Sequence, residues 1–240
     1  MNLNDLTSDL ARLADQDKAV ILQRFFKTGS GQYGEGDIFL GITVPAQREV
    51  AKKYTDLTLV ELQKLLASKV HEHRLTALII LVTKYQRALR KTQGKPRETE
   101  RKKIVDFYLK NSKYINNWDL VDSSAEYIVG DYLMDRGKSI LHKLARSKNL
   151  WERRIAVVAT FAFIKNRRFG ETFKIAENLL GDNHDLIHKA VGWMLREVGK
   201  RDQNALENFL QKHYPSMPRT MLRYAIERFD ESKKKFYMVK

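Results

Sequence analysis

The stretch His188-Lys189-Ala190-Val191-Gly192-Trp193-Met194-Leu195 sets a basic residue shortly before an alanine that opens an apolar run. The same arrangement recurs in HRLTALIILV (73–82), ERRIAVVATF (152–161) and LRYAIERF (222–229). The alanines are Ala77, Ala156, Ala190 and Ala225, separated by 79, 34 and 35 positions, so the first gap is close to two repeat lengths. A small residue at an equivalent place in successive helices lets neighbours approach closely. A period of roughly 35 to 47 residues is that of paired-helix solenoids. The spacing therefore predicts an all-α fold, a HEAT-like or armadillo-like helical repeat solenoid. An irregular helical bundle is the alternative that these residues leave open. The expected organisation is a single repeat domain over residues 1–240, with a basic tail at about 231–240 and a concave basic groove.

Local patterns agree with helices. Leu59, Leu62, Leu65 and Leu66 recur at three- and four-residue spacing, as do Ile155, Val158, Phe161 and Ile164. Gly94-Lys95-Pro96, Gly137, Gly181-Asp182-Asn183 and Tyr214-Pro215-Ser216-Met217-Pro218 interrupt the helical patterns at fairly regular intervals. No stretch alternates apolar and polar residues for long enough to suggest a sheet.

The chain of 240 residues is 43% hydrophobic and carries a net charge of +15. That hydrophobic share places the charge on a folded body rather than a disordered one. The length suits one ordinary domain or two small ones. No window approaches the roughly 18 apolar residues of a spanning helix, and the start MNLNDLTSDL is acidic and polar. The expectation is a soluble cytoplasmic protein. The absence of cysteine excludes disulfide frameworks, thiolate metal sites and cysteine nucleophiles. Residues 1–60 hold 7 Lys/Arg against 8 Asp/Glu, so the surplus lies beyond them. It is densest from Lys84 to Lys103 and returns at Lys233, Lys234, Lys235 and Lys240. A polyanion is the natural partner, because phosphates neutralised by Lys or Arg release counterions without any sequence code. A merely solvated basic surface is the alternative for any single run.

Familiar chemical motifs fail. Gly29-Ser30-Gly31-Gln32-Tyr33-Gly34 spells a dinucleotide fingerprint, but the helix-like KAVILQRFFK precedes it where a strand is required. A mobile loop is expected instead. His71 and His73 sit two apart, so their rings diverge on a helix and metal binding is not expected.

One constellation remains. Trp118 and Asp122 are four apart and share a helix face, leaving Leu120 and Val121 for the core. Arg154 follows Trp118 by 36 residues and Trp193 follows Arg154 by 39, close to one repeat each. Equivalent positions in successive repeats line one strip. Core packing by the tryptophans and a capping or ion-pair role for Asp122 remain open on these residues alone.

The segments NNWDLVDSSAEYIVGDYL, LWERRIAVVATF, HKAVGWMLRE, FLGITVPAQR and RTMLRYAIE together resemble the AlkD-type DNA alkylation repair glycosylases. The likeness runs from about Phe25 to Glu227. It implies a fold of HEAT-like repeats and a site in which Asp122 is catalytic, Trp118 and Trp193 are active-site aromatics and Arg154 is a groove arginine. It also implies DNA contacts by Arg48, Arg196 and Phe25. The sequence departs from the family at Phe25 or Phe26, where the best-known members have tyrosine. It departs again at the glycine-rich segment from Thr28 to Asp37, which has the look of an insertion.

The resemblance implies monofunctional hydrolysis of the N-glycosidic bond of cationic alkylated purines, 7-methylguanine and 3-methyladenine, in double-stranded DNA. The lesion stays stacked, with no deep base-reading pocket. No cofactor, no metal and no membrane are implied, and a monomer is expected. The competing class is a non-catalytic HEAT-repeat protein that binds DNA or RNA structure, for which basic charge and repeats suffice; a protein-binding scaffold comes third.

Overall fold

The computed structural model describes residues 2–90 and 95–239. Regular structure among them is helical, apart from an isolated bridge between Ile38 and Val70. Of the expected helix break at Gly94-Lys95-Pro96, Gly94 lies outside the described residues, as does Lys240 at the basic end. The chain divides into two compact units, Met1–Ser124 and Ala125–Lys240.

The first unit is built around one long helix. Its elements are α1 (Leu3–Ala11), α2 (Gln16–Phe25), α3 (Val44–Lys53), α4 (Leu59–Leu66), α5 (His71–Arg90), α6 (Lys95–Lys110) and α7 (Trp118–Asp122). Short polar residues cap several of these helices where the first N–H groups lack partners. Asn2 with Asp5, and Thr58 with Glu61, form reciprocal capping boxes, and the Asp15 side chain accepts from Lys18 N–H. Leu62, Leu65 and Leu66 turn inward as their spacing predicts, towards Leu78, Ile80 and Leu81 on α5.

The second unit opens with a π-helical turn at Glu126–Gly130 that runs into α8 (Asp131–Leu133). There follow α9 (Ser139–Ala145), α10 (Leu150–Ala159), α11 (Phe161–Lys165), α12 (Gly170–Asn178), α13 (Asp185–Gly199), α14 (Gln203–His213), α15 (Arg219–Ala225) and α16 (Glu231–Met238). Helices pack in sequential pairs. α9 lies on α10, and α13 packs on α10, α14 and α15. The four alanines of the repeat pattern fall on α5, α10, α13 and α15 and are buried.

The apolar series through Ile164 is two helices, not one. Thr160 turns its hydroxyl back onto the Val157 carbonyl at 2.7 Å, which ends α10 before α11 begins. The glycine-rich segment is tied by hydrogen bonds of its own. Gly29 N–H donates to the Gln32 side chain at 3.0 Å, Gly31 N–H to Glu35 at 2.9 Å, and Gly34 N–H to the Lys27 carbonyl at 3.1 Å. The basic end folds as α16, where Lys233 pairs with Glu207 and Lys234 with Glu231, so part of its charge is neutralised within the fold.

Gly192 shows how close the repeats come. A Cβ there would stand 2.5 Å from both the Met221 carbonyl oxygen and Tyr224 Cβ on α15. Neither atom belongs to the far end of a flexible side chain, so α13 and α15 would have to separate. Gly192→Ala is expected to destabilise the fold by about 1–3 kcal/mol, read as a lowered denaturation midpoint.

Candidate functional site

Trp118 and Asp122 are the first and last residues of α7. The Asn117 side chain caps the helix by accepting from Trp118 N–H at 2.8 Å. Leu120 and Val121 are fully buried, as their placement between Trp118 and Asp122 predicts, and both functional candidates are partly exposed. The Trp118 ring is held by other rings. Phe26 stacks on it with centroids 5.1 Å apart and planes at 22°, and Phe25 meets it edge-on at 5.9 Å. Phe25 is 61% exposed and forms the rim of this cluster. Its ring lies beside Trp118 and brings no hydroxyl. Arg48 lies exposed on α3.

Below the rings lies a buried polar group that sequence reasoning missed. His71 Nε2 is 2.7 Å from Asp119 Oδ2, and His71 Nδ1 is 3.6 Å from Asp37 Oδ2. Arg74 Nη2 reaches the same Asp37 oxygen at 2.5 Å. Burial opposes a charged imidazole here, but the hydrogen bonds to Asp119 and Asp37 outweigh it and raise the His71 pKa above the ordinary value. Nearby, the buried Tyr108 hydroxyl shares a 2.9 Å hydrogen bond with Ser124 Oγ. Burial raises the Tyr108 pKa, and the Asp122 charge raises it further, so the phenol stays neutral.

A cavity of about 240 Å³ adjoins this cluster, walled by Ile21, Leu22, Phe25, Phe26, Phe39 and Val44. Several of its polar side chains are already engaged. Glu72 accepts the N–H groups of Leu40, Gly41 and Ile42 at 2.8–3.2 Å, Gln47 donates to the Ile42 carbonyl at 2.8 Å, and Asp119 holds His71. A mainly apolar hollow with most of its buried polar side chains engaged is poorly suited to reading the edge of a base. Gly41 makes the Glu72 contact possible. It has φ +82°, and a Cβ would fall 2.0 Å from the Asp15 carbonyl oxygen.

The remaining candidates belong to the second unit. Arg154, on α10, is 5% exposed and donates from Nη1 to the Leu186 carbonyl at 2.6 Å. Trp193, on α13, is partly exposed and lies against Phe161 with centroids 5.8 Å apart. Phe161 in turn carries Lys165 Nζ at 4.7 Å and the Arg201 guanidinium at 5.6 Å from its centroid. Lys165 also lies 5.6 Å from the Tyr127 ring and pairs with Glu126. Arg196 pairs with Glu227. Trp193 thus stands beside a mixed basic and aromatic strip, the composition that suits a phosphate backbone. Among the described residues no three His, Asp or Glu side chains are gathered to hold a metal ion, and no helix is long and apolar enough to cross a membrane.

Helix pairs with small residues at their contacts, together with a tryptophan and a carboxylate on one short helix, define an all-α helical-repeat protein with a candidate DNA-facing site. The chain belongs to the family described as DNA alkylation repair enzyme, whose sequence model matches residues 6–229. Its fold is similar to that of a predicted DNA alkylation repair enzyme from Enterococcus faecalis, at 15% identity and a TM-score of 0.67, covering 91% of this chain and 97% of that one. It is also similar to AlkD2 from Streptococcus mutans, at 17% identity and a TM-score of 0.53, covering 90% and 99%. A third similar structure is smu.31 from Streptococcus mutans UA159, at 16% identity, a TM-score of 0.54, and 89% and 100% coverage. At such identities the likeness concerns the fold. No curated protein matches the sequence significantly.

Proposed function

We propose that this protein is a monofunctional DNA glycosylase that releases cationic alkylated purines, 7-methylguanine and 3-methyladenine, from duplex DNA. The observation that carries this reading is Asp122 on the same five-residue helix as a ring-packed Trp118, in a chain of the DNA alkylation repair family. Alkylation at N3 or N7 makes the purine cationic and weakens its bond to the sugar. When that bond breaks, its electron pair leaves with the base and neutralises it, and positive charge passes to C1′ of the deoxyribose. A carboxylate stabilises such an oxocarbenium-like centre, as in glycoside hydrolysis. Asp122 has this role and also orients the water that adds to C1′ and gives up a proton. The product is an abasic site in an uncut strand.

Trp118 and Trp193 supply aromatic faces to the sugar–phosphate and to the cationic lesion, each cation–π contact contributing about 0.5–2 kcal/mol. Arg48 and Arg196 contact phosphates. Arg154 is largely buried and its Nη1 donates to the Leu186 carbonyl, so its part is that of a positive charge held in a fixed position. The mainly apolar walls of the cavity support action on a lesion that remains stacked.

The test is chromatography of bases freed from methylated duplex DNA by the purified protein. Release of 7-methylguanine or 3-methyladenine is the expected result. Tight duplex binding that is indifferent to methylation, with no base liberated over long incubation, selects the non-catalytic binder instead.

A further inference from the structure

We propose that His71 and Asp119 are positioning residues: their hydrogen bond fixes α7 and, through it, the Trp118 ring and the Asp122 carboxylate. The inference rests on the glycosylase reading for the use made of those two side chains, while the clamp itself is a feature of the first unit alone.

A helix of five residues does not hold itself, because nucleating a turn costs more than its few hydrogen bonds return. Leu120 and Val121 bury one face of α7, but apolar burial has little directional preference. Direction comes from the 2.7 Å contact between Asp119 Oδ2 and His71 Nε2. His71 is in turn immobilised. Its ring stacks on Phe39 with centroids 4.5 Å apart, and its main-chain N–H donates to the Ile38 carbonyl at 2.8 Å. Phe39 stacks on Phe26 at 5.0 Å, and Phe26 stacks on Trp118 at 5.1 Å. Trp118 is the neighbour of Asp119 in sequence, so the contacts close a ring of five side chains with the polar tie as its one directional member.

The charge on that tie depends on pH. The groups facing His71 are Asp119 from α7, Asp37 from the preceding loop and Arg74 from α5. Glu72 is adjacent, with its carboxylate turned to the Leu40–Ile42 N–H groups. With the His71 pKa raised, the imidazolium and its charge-assisted bond persist to higher pH than those of a free histidine. A raised folded pKa gives stability that is complete below about 6.5, the unfolded value, and lost as pH rises through the folded value.

Two measurements test the clamp. The first needs no activity: the protein is labelled with 5-fluorotryptophan, the Trp118 resonance is assigned by Trp118→Phe, and its ¹⁹F shift is followed against pH. A titration with its midpoint above that of free histidine, absent in His71→Gln, is expected; a flat wild-type titration overturns the proposal. The second is the single-turnover rate of 7-methylguanine release beside affinity for unmodified duplex. His71→Gln and Asp119→Asn are each expected to slow release roughly tenfold at unchanged affinity, by misplacing the reacting groups. The double variant is expected to be no slower than either single, because both remove one bond. Asp119→Asn should also move the alkaline limb of the wild-type rate profile to lower pH. Unchanged rates in both variants, or losses that multiply in the double, overturn it. A wild type that releases no base but shows the Trp118 titration removes the glycosylase reading and leaves the clamp.

Discussion

Asp122→Asn is expected to slow release of 7-methylguanine from methylated duplex by about a hundredfold or more, the scale of removing a preorganised electrostatic stabiliser. Asparagine keeps the size and the hydrogen-bonding oxygen of aspartate but not its charge. It therefore isolates the term that the reaction needs, a negative charge facing C1′ as positive charge develops there. Affinity for unmodified duplex should hold or improve, since a carboxylate near phosphates opposes binding. The check is single-turnover base release beside a duplex-binding titration. Equal release by variant and wild type removes Asp122 from the mechanism. A parallel loss of binding and release points instead to collapse of α7, which the buried Leu120 and Val121 anchor from within.

Glu72→Ala carries the largest expected effect on stability. The Glu72 side chain is buried and accepts N–H groups from Leu40, Gly41 and Ile42 at 2.8–3.2 Å. Truncation leaves those donors without partners in a segment where Gly41 and Ile42 are themselves buried. Orphaning buried donors in this way is expected to cost about 3–5 kcal/mol. Glu72→Gln retains one acceptor oxygen and should lose only about 1–2 kcal/mol. Denaturant midpoints of the two variants measure the difference. Equal stability of Ala and Gln at this position contradicts the anchoring role. The loss should also reach the rings about Trp118, since the segment held by Glu72 follows directly on Phe39, which stacks on Phe26.

Much of the fold was legible residue by residue. The spacing of Ala77, Ala156, Ala190 and Ala225 marked helices that pack closely, because a helix that must approach its neighbour needs a small side chain at the contact. The placement of Leu120 and Val121 between Trp118 and Asp122 fixed which face of α7 turns inward. Thr160 was harder. Its apolar neighbours continue the helical period, and only the turn of its hydroxyl onto the Val157 carbonyl splits α10 from α11. At the candidate site, short motifs and the family resemblance they carry named Trp118, Asp122 and Phe25 as candidates. The partners of those residues were not legible. Asp119 carries no motif signal of its own, and His71 reads only as half of a histidine pair whose rings diverge.

The sequence by itself determined an all-helical chain of repeats and a basic surplus confined to residues beyond the first 60. These follow from periodicity, small-residue spacing and charge, which act over one or two helical turns. Only the tertiary structure decided that Asp119 meets His71 from 48 positions away, that Phe39 and Phe26 carry the Trp118 ring, and that Glu72 holds the Leu40–Ile42 backbone. A buried carboxylate or imidazole must find its partner wherever packing brings one, because the cost of leaving it alone is set by its surroundings in space and not by its neighbours along the chain.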